Sequence, residues 1–391
     1  MRYHIPALST AFALSSLLAA QDLLPAFRDL PLQNRTSSGT AVLQARVYYP
    51  GLAAGQNQPL RPQAGGYPVY VFLHGSWSFG SQYPQVGEVL AKNGYVCVLS
   101  DTAPGDAVQQ YADGIAYFPS LQAESQDPSS FFYGALDMGH AAIGGYSMGG
   151  MTAMRVLSTN CGYAAGFTHA PGAGTYYSQN EGQNCRKPFA IVHGAGDTVV
   201  PWQSGYDWWN YTRFTGQKFL YLMNGEVNHT NVISFPTIAD QPIFQRCMRV
   251  CIGFLDGVLK GNAAGFEDVF GGRARTEPRL YALHARTETP ALWTEQVGRS
   301  YALRQVAEPG GTIVLASARR GSMHTMAGTL GLDPAGITVA FTKQVDLGKL
   351  MNEEYALPYY GPLAGFRLQL QAISVNCFAE PRLSNVAELV F

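Results

Sequence analysis

Gly144-Gly145-Tyr146-Ser147-Met148-Gly149-Gly150 is the stretch on which the reading of this chain turns. A serine with glycines two positions before and two after fits a nucleophile elbow, where a strand turns at once into a helix and only residues without side chains let the two elements approach. On that reading the Ser147 hydroxyl stands at the edge of a sheet. His140-Ala141-Ala142-Ile143 before it is short and apolar, as a buried parallel strand is, and residues 151–157 after it are helix-compatible. A glycine-flanked serine is also a tight turn in any fold, so these residues alone leave both readings open.

Outward from the elbow, short apolar runs alternate with longer amphipathic ones from residue 41 to about residue 265, the signature of strands separated by crossover helices. Strands are expected at 42–49, 69–73, 95–99, 140–146, 163–168, 189–193 and 218–223, with helices that include 83–93, 147–159, 203–214 and 241–260. The fold class is α/β, with a mostly parallel, doubly wound central sheet and flanking helices. After Gly271-Gly272-Arg273 the runs 279–284, 312–316, 337–342 and 366–375 are strand-like without clear helices between them, which predicts a second, smaller, mostly β domain. The expected division is 1–20, 21–270 and 271–391.

The first of these segments reads as a signal peptide. Arg2 and His4 precede an apolar run ending in Leu18-Ala19-Ala20, so cleavage is expected after Ala20 and the protein is expected to be exported. The run falls short of the roughly 20 apolar residues of a spanning helix, and no later segment is long and apolar enough. A chain of 391 residues, 47% hydrophobic and 14% charged with a formal net charge of -1, has no polyanion-binding character, so nucleic acid is not an expected partner. Six cysteines are too few for a disulfide framework. Cys161 and Cys185 each precede a presumed neighbouring parallel strand and are expected to bridge, whereas Cys247 and Cys251 share a helix face and read as small buried hydrophobes. Further Cys or His at zinc-ligand spacing is missing. Asn34, Asn210 and Asn228 begin Asn-x-Ser/Thr sequons, and a glycan on Asn228 would crowd His229.

A serine hydroxyl needs a base, and the base an orienting acid. In a doubly wound sheet with this elbow both come after the serine, acid first. Residues 190–201 supply an apolar strand, a glycine turn and Asp197; strand 220–223 is followed by Asn224-Gly225-Glu226-Val227-Asn228-His229. Asp197 can serve as the acid or as a helix N-cap. His229 is the candidate base, Glu226 and Asp101 are rival acids, and His193 and His74 are read as loop-holding residues. An oxyanion needs fixed backbone N–H donors. The Met148 amide is one by construction, and the Ser76 amide, in the loop after strand 69–73, is the leading second, with the Trp77 amide next; the Trp77 side chain is also expected to wall the substrate pocket.

His74-Gly75, the elbow, His193-Gly194-Ala195-Gly196-Asp197-Thr198-Val199-Val200-Pro201, Asn224 to His229 and the helix with Phe254-Leu255-Asp256-Gly257 together resemble the α/β-hydrolases that group dienelactone-hydrolase-like enzymes with bacterial cutinases and polyester hydrolases. The resemblance covers about residues 40–270. It implies an α/β-hydrolase fold and a secreted, cofactor-free and metal-free serine hydrolase that cleaves small or polymeric carboxylic esters through an acyl-enzyme. Ser76 and Gly172 stand where polyester hydrolases commonly carry an aromatic residue and a Trp; Trp77, Tyr176 or Tyr177 are alternative sources of an aromatic wall, and the pairs Trp208-Trp209 and Phe131-Phe132 belong either to a pocket or to the core. The tail resembles β modules appended to some secreted bacterial proteins, which implies a role in surface or polymer attachment or in stability. A peptidase or acyltransferase would use the same residues, and a binding or adhesion protein with a relic hydrolase domain is the reading from another class. A dinucleotide site is excluded, since no Gly-x-Gly-x-x-Gly follows the first strand.

Overall fold

Alternation within single strands builds the sheet. In Tyr67–Leu73 the side chains of Tyr67, Val69, Val71 and Leu73 enter one apolar cluster and those of Tyr70 and Phe72 the other, so both faces of the strand are covered, as in a parallel sheet between helix layers. The computed structural model describes residues 23–390 except 160, 174–176, 236–240, 288–290, 298–299, 308–309, 326–327, 346–350, 359–365 and 377–380. The expected leader 1–20, Tyr176 and Cys377 lie outside the described residues.

Ten strands form one sheet: β1 (Leu24–Gln33), β2 (Val42–Gly51), β3 (Gly55–Gln56), β4 (Tyr67–Leu73), β5 (Val96–Ser100), β6 (Leu136–Tyr146), β7 (Ala165–His169), β8 (Phe189–Gly194), β9 (Gln217–Met223) and β10 (Leu280–Thr287), in the spatial order β10-β9-β8-β7-β6-β4-β5-β2-β1-β3. From β5 through β4 to β9 every pairing is parallel, while β2 and β10 join antiparallel at the two sides. Helices α1 (Pro84–Lys92) and α5 (Gln241–Leu259) cover one face, and α2 (Ala107–Gln126), α3 (Met148–Leu157) and α4 (Gln203–Tyr211) the other. Strand order reverses between β4 and β6, so the crevice outside their carboxyl ends is the topological switch point, where open α/β sheets bind ligands.

Three elements depart from the sequence reading: strand β1, helix α2 and strand 279–284. Helix α2 is not among the expected helices. Its buried face carries Gln110, Asp113 and Ser120 and its interior holds Pro119, which blur the apolar period; Asp106 caps it by accepting from the Val108 and Gln109 amides. Strand 279–284, assigned with the second domain, is β10: it pairs with β9 and extends the large sheet beyond residue 270.

The remaining strands are separate from that sheet. β11 (Ala291–Val297), β12 (Ser300–Ala307) and β17 (Met351–Pro358) form a three-stranded antiparallel sheet, β16 (Thr338–Val345), β13 (Gly310–Ser317), β18 (Arg367–Asn376) and β19 (Pro381–Val390) a four-stranded one, and β14 (Arg320–Thr325) and β15 (Gly328–Leu332) a hairpin. The two larger sheets share a small core of Leu292, Leu303, Val314, Leu370 and Leu389. The Asn385 side chain stitches them, accepting from the Leu292 amide at 2.9 Å and donating to its carbonyl at 2.7 Å.

The expected Cys161–Cys185 bridge is not formed; both thiols are free. The strand starts do lie together, but Lys187 donates its ammonium to the Cys161 and Tyr163 carbonyls and lies 3.8 Å from the Cys161 sulfur, while the Cys185 thiol donates to the Lys187 carbonyl instead. Cys247 and Cys251 are wholly buried, and burial pushes the Cys247 thiol up to about 12. Among the described residues no helix is long and apolar enough to cross a membrane.

Candidate active site

The elbow glycines are required sterically. A Cβ at Gly145 would stand 2.5 Å from the Leu73 carbonyl oxygen, and one at Gly149 would stand 2.1 Å from the same oxygen and 2.4 Å from that of His74, so β4, β6 and α3 meet backbone to backbone here. Ser147 takes the strained conformation this contact forces, φ 56° and ψ -117°, a cost of about 1–3 kcal/mol that the surroundings must hold. They do so through the backbone: the Ser147 amide donates to the His169 carbonyl at 3.1 Å, and the Ser147 carbonyl accepts from Met151 and Gly172, each at 3.0 Å. The hydroxyl takes no part and does not cap α3, although Ser147 is its N-cap residue.

Strain gathers at this edge of the sheet. Trp77, Ala103, Ser147 and Ala170 follow the carboxyl ends of β4, β5, β6 and β7, and all have positive φ, at 57°, 56°, 56° and 42°. Such outliers in non-glycine residues cluster at functional sites.

Asp197 and His229 meet at the same edge. Parallel pairing places Tyr146, His169, Val192 and Tyr221 in one row across β6 to β9, so the loops after β8 and β9 rise beside the elbow. His229 Nδ1 lies 2.6 Å from Asp197 Oδ2, and as Asp197 accepts, Nδ1 carries the hydrogen. Oδ1 accepts the Val199 and Val200 amides at 2.9 and 2.8 Å. Asp197 therefore caps the turn at 198–200 and bonds His229, but it is not the helix N-cap that the sequence also allows: α4 begins at Gln203 after Trp202. Burial pushes its carboxyl up, but hydrogen bonds from His193, His229 and the Val200 amide outweigh this and hold it well below the usual carboxylate range. It stays ionised where His229 would act as a base. The His229 turn is set by Asn228, whose Oδ1 accepts from the Thr230 hydroxyl and from the Thr230 and Asn231 amides.

Ser147 and His229 are not hydrogen-bonded; the ring of Tyr146, the residue before Ser147, lies with its centroid 4.8 Å from that of His229. Met148 is the first residue of α3, where a helix has no internal acceptor for its N–H, and its amide has no intramolecular partner; nor has that of Ser76. The loop carrying Ser76 is fixed from below: His74 Nε2 is 2.6 Å from the Thr102 carbonyl, Gln110 donates to the His74 carbonyl at 3.0 Å, and the Thr152 hydroxyl of α3 donates to Gln110 Oε1 at 2.7 Å. Trp77, in the loop after β4, is 84% exposed and packs over Gly105, and Val199, two residues after Asp197, is 70% exposed.

Other candidates fall elsewhere. Glu226 is exposed and faces Arg279; Asp101 accepts the Ser81 amide. Trp208 is buried, its indole donating to the Gly172 carbonyl at 2.9 Å, and Phe132 is buried too, with Trp209 and Phe131 packed on the same cluster. These aromatic pairs are core. The Gln110–Thr152 support under the loop, the tilted Tyr146–His229 ring contact and the contact of His193 with Asp197 have no counterpart in the sequence reading. The first two depend on long-range packing that leaves no local trace; the third could have been suspected from the spacing of His193 and Asp197 around a two-glycine turn. Among the described residues no cluster of three or more His, Cys, Asp or Glu could hold a metal ion. A scan against protein-family models and a search of curated proteins both find no match.

Proposed function

We propose that this chain is an exported serine hydrolase of α/β-hydrolase architecture that cleaves carboxylic esters through an acyl-enzyme. The observation that carries the reading is the ionised Asp197 bonded to His229 Nδ1 beside a strained Ser147 whose hydroxyl no structural bond employs. In the proposed reaction His229 Nε2 takes the Ser147 proton as Oγ attacks the ester carbonyl, the Met148 and Ser76 amides hold the oxyanion, and His229 returns the proton to the departing alcohol. Water then repeats the sequence on the acyl-enzyme. Exposed apolar side chains at Trp77, next to the proposed oxyanion donor, and at Val199, near Asp197, suit an ester with a bulky apolar portion. The test is labelling: a fluorophosphonate should modify the full chain once, on the peptide carrying Ser147, and p-nitrophenyl butyrate should be hydrolysed. Absence of both would end the proposal.

Trp77 offers a graded check. Covering half an exposed indole contributes on the order of 1 kcal/mol, so Trp77→Ala should raise KM for p-nitrophenyl benzoate about fivefold and leave the acetate ester nearly unchanged. Equal KM changes for both esters would remove Trp77 from the substrate site. Because the side chain is almost fully exposed, the melting temperature should stay within about 2 °C.

A further inference from the structure

Asp197 has more partners than a catalytic pair needs. His193, fully buried at the end of β8, sets Nε2 2.9 Å from the Val200 carbonyl oxygen and 3.2 Å from Asp197 Oδ2. Both neighbours only accept, so the hydrogen is on Nε2 and is shared between them. Nδ1 is buried with no partner and faces Gly205 of α4, where a Cβ would come within 2.9 Å of it. The ring is thus a donor in one direction, wedged between α4 and the acid.

With two amides on Oδ1 and two imidazoles on Oδ2, about four lone-pair directions of the carboxylate are all engaged and it cannot turn. We propose that His193 is a positioning residue: by holding Oδ2 it fixes the lone pair to which His229 Nδ1 bonds, and so the direction in which His229 presents its other nitrogen. The proposal rests on the serine-hydrolase reading, in which that direction decides proton transfer from Ser147. Holding the loop through Val200 alone would be a purely structural role, and the two roles separate experimentally.

In His193→Leu both contacts are lost; in His193→Gln the amide nitrogen reaches the Nε2 position; in His193→Asn it stops short. For p-nitrophenyl butyrate, Leu and Asn should lower kcat about 10- to 100-fold with KM within about twofold, and Gln should restore kcat to within about threefold of wild type. The downfield proton resonance of the His229–Asp197 bond, read on the full chain without substrate, should move or broaden in Leu and Asn and return in Gln. Wild-type kcat in a folded Leu variant, equal losses in Leu and Gln, or an unmoved resonance would each overturn the role. Should Leu fail to fold, Asn against Gln carries the same comparison. A wild-type protein that hydrolyses no ester defeats the functional reading alone, since the resonance reports on His193 regardless of activity.

Discussion

Ser147→Ala should abolish turnover, lowering kcat for an activated ester on the order of 10⁴- to 10⁶-fold, because the step that forms the acyl-enzyme loses its nucleophile while the oxyanion donors and the base stay in place. KM should change little, and fluorophosphonate labelling should disappear. Stability separates this from collapse of the site. Alanine keeps the strained φ of 56°, so its unfolding free energy should match wild type, whereas Ser147→Gly, equally inactive, should gain up to about 1 kcal/mol by relieving the strain. A Ser147→Ala protein that retains more than about a hundredth of wild-type kcat would place the chemistry elsewhere.

The second large effect lies behind the elbow. His169, at the end of β7, is wholly buried, neither ring nitrogen has a partner, and burial pushes its imidazole down to about 3. In the unfolded chain the same group titrates near 6.5. Between these values the unfolded state binds the proton and the folded state does not, so the contribution is fully present above about pH 6.5 and is lost as pH falls towards 3. One proton corresponds to about 1.4 kcal/mol per pH unit, and the whole window to about 4–5 kcal/mol. In His169→Leu the slope of unfolding free energy against pH, from urea titrations between about pH 4.5 and 6, should fall by close to that amount per unit. Asp197 acts in a lower window: its depressed carboxyl stabilises the fold above the usual carboxylate range and loses that contribution only as pH falls below it, so it does not obscure the comparison. An unchanged slope would mean that His169 reaches water or a partner in the folded protein.

What the sequence disclosed follows from the range of the interactions. The elbow, the acid turn and the alternating strands were legible because each depends on neighbours within a few residues: Gly145 and Gly149 flank Ser147, and Asp197 bonds amides two and three positions on. Helix α2 was hidden because its polar residues point inward to distant partners, Asp113 to the Thr40 amide and hydroxyl and Gln110 to Thr152 and His74. β1 was missed likewise; Pro25 and Pro31 interrupt a run whose pattern appears only once Ala26 and Leu32 are seen to be buried. The cysteine pairing is decided by side-chain direction: the segments of Cys161 and Cys185 do lie adjacent, but nothing local signals that Lys187 lies beside Cys161. The place of β10 depended on a pairing across some sixty residues, which periodicity does not encode.

That pairing has a mechanical consequence. β10 runs antiparallel to β9, entering with Leu280 opposite Met223, near the turn that bears His229, and leaving with Thr287 opposite Gln217 at the far end of the strand. If the C-terminal strands are anchored to a solid and the rest of the chain is dragged by flow, the load enters the large sheet at Thr287. Where that load peels β10 from β9, the Thr287–Gln217 rung parts first and Leu280–Met223, nearest the turn with His229, last.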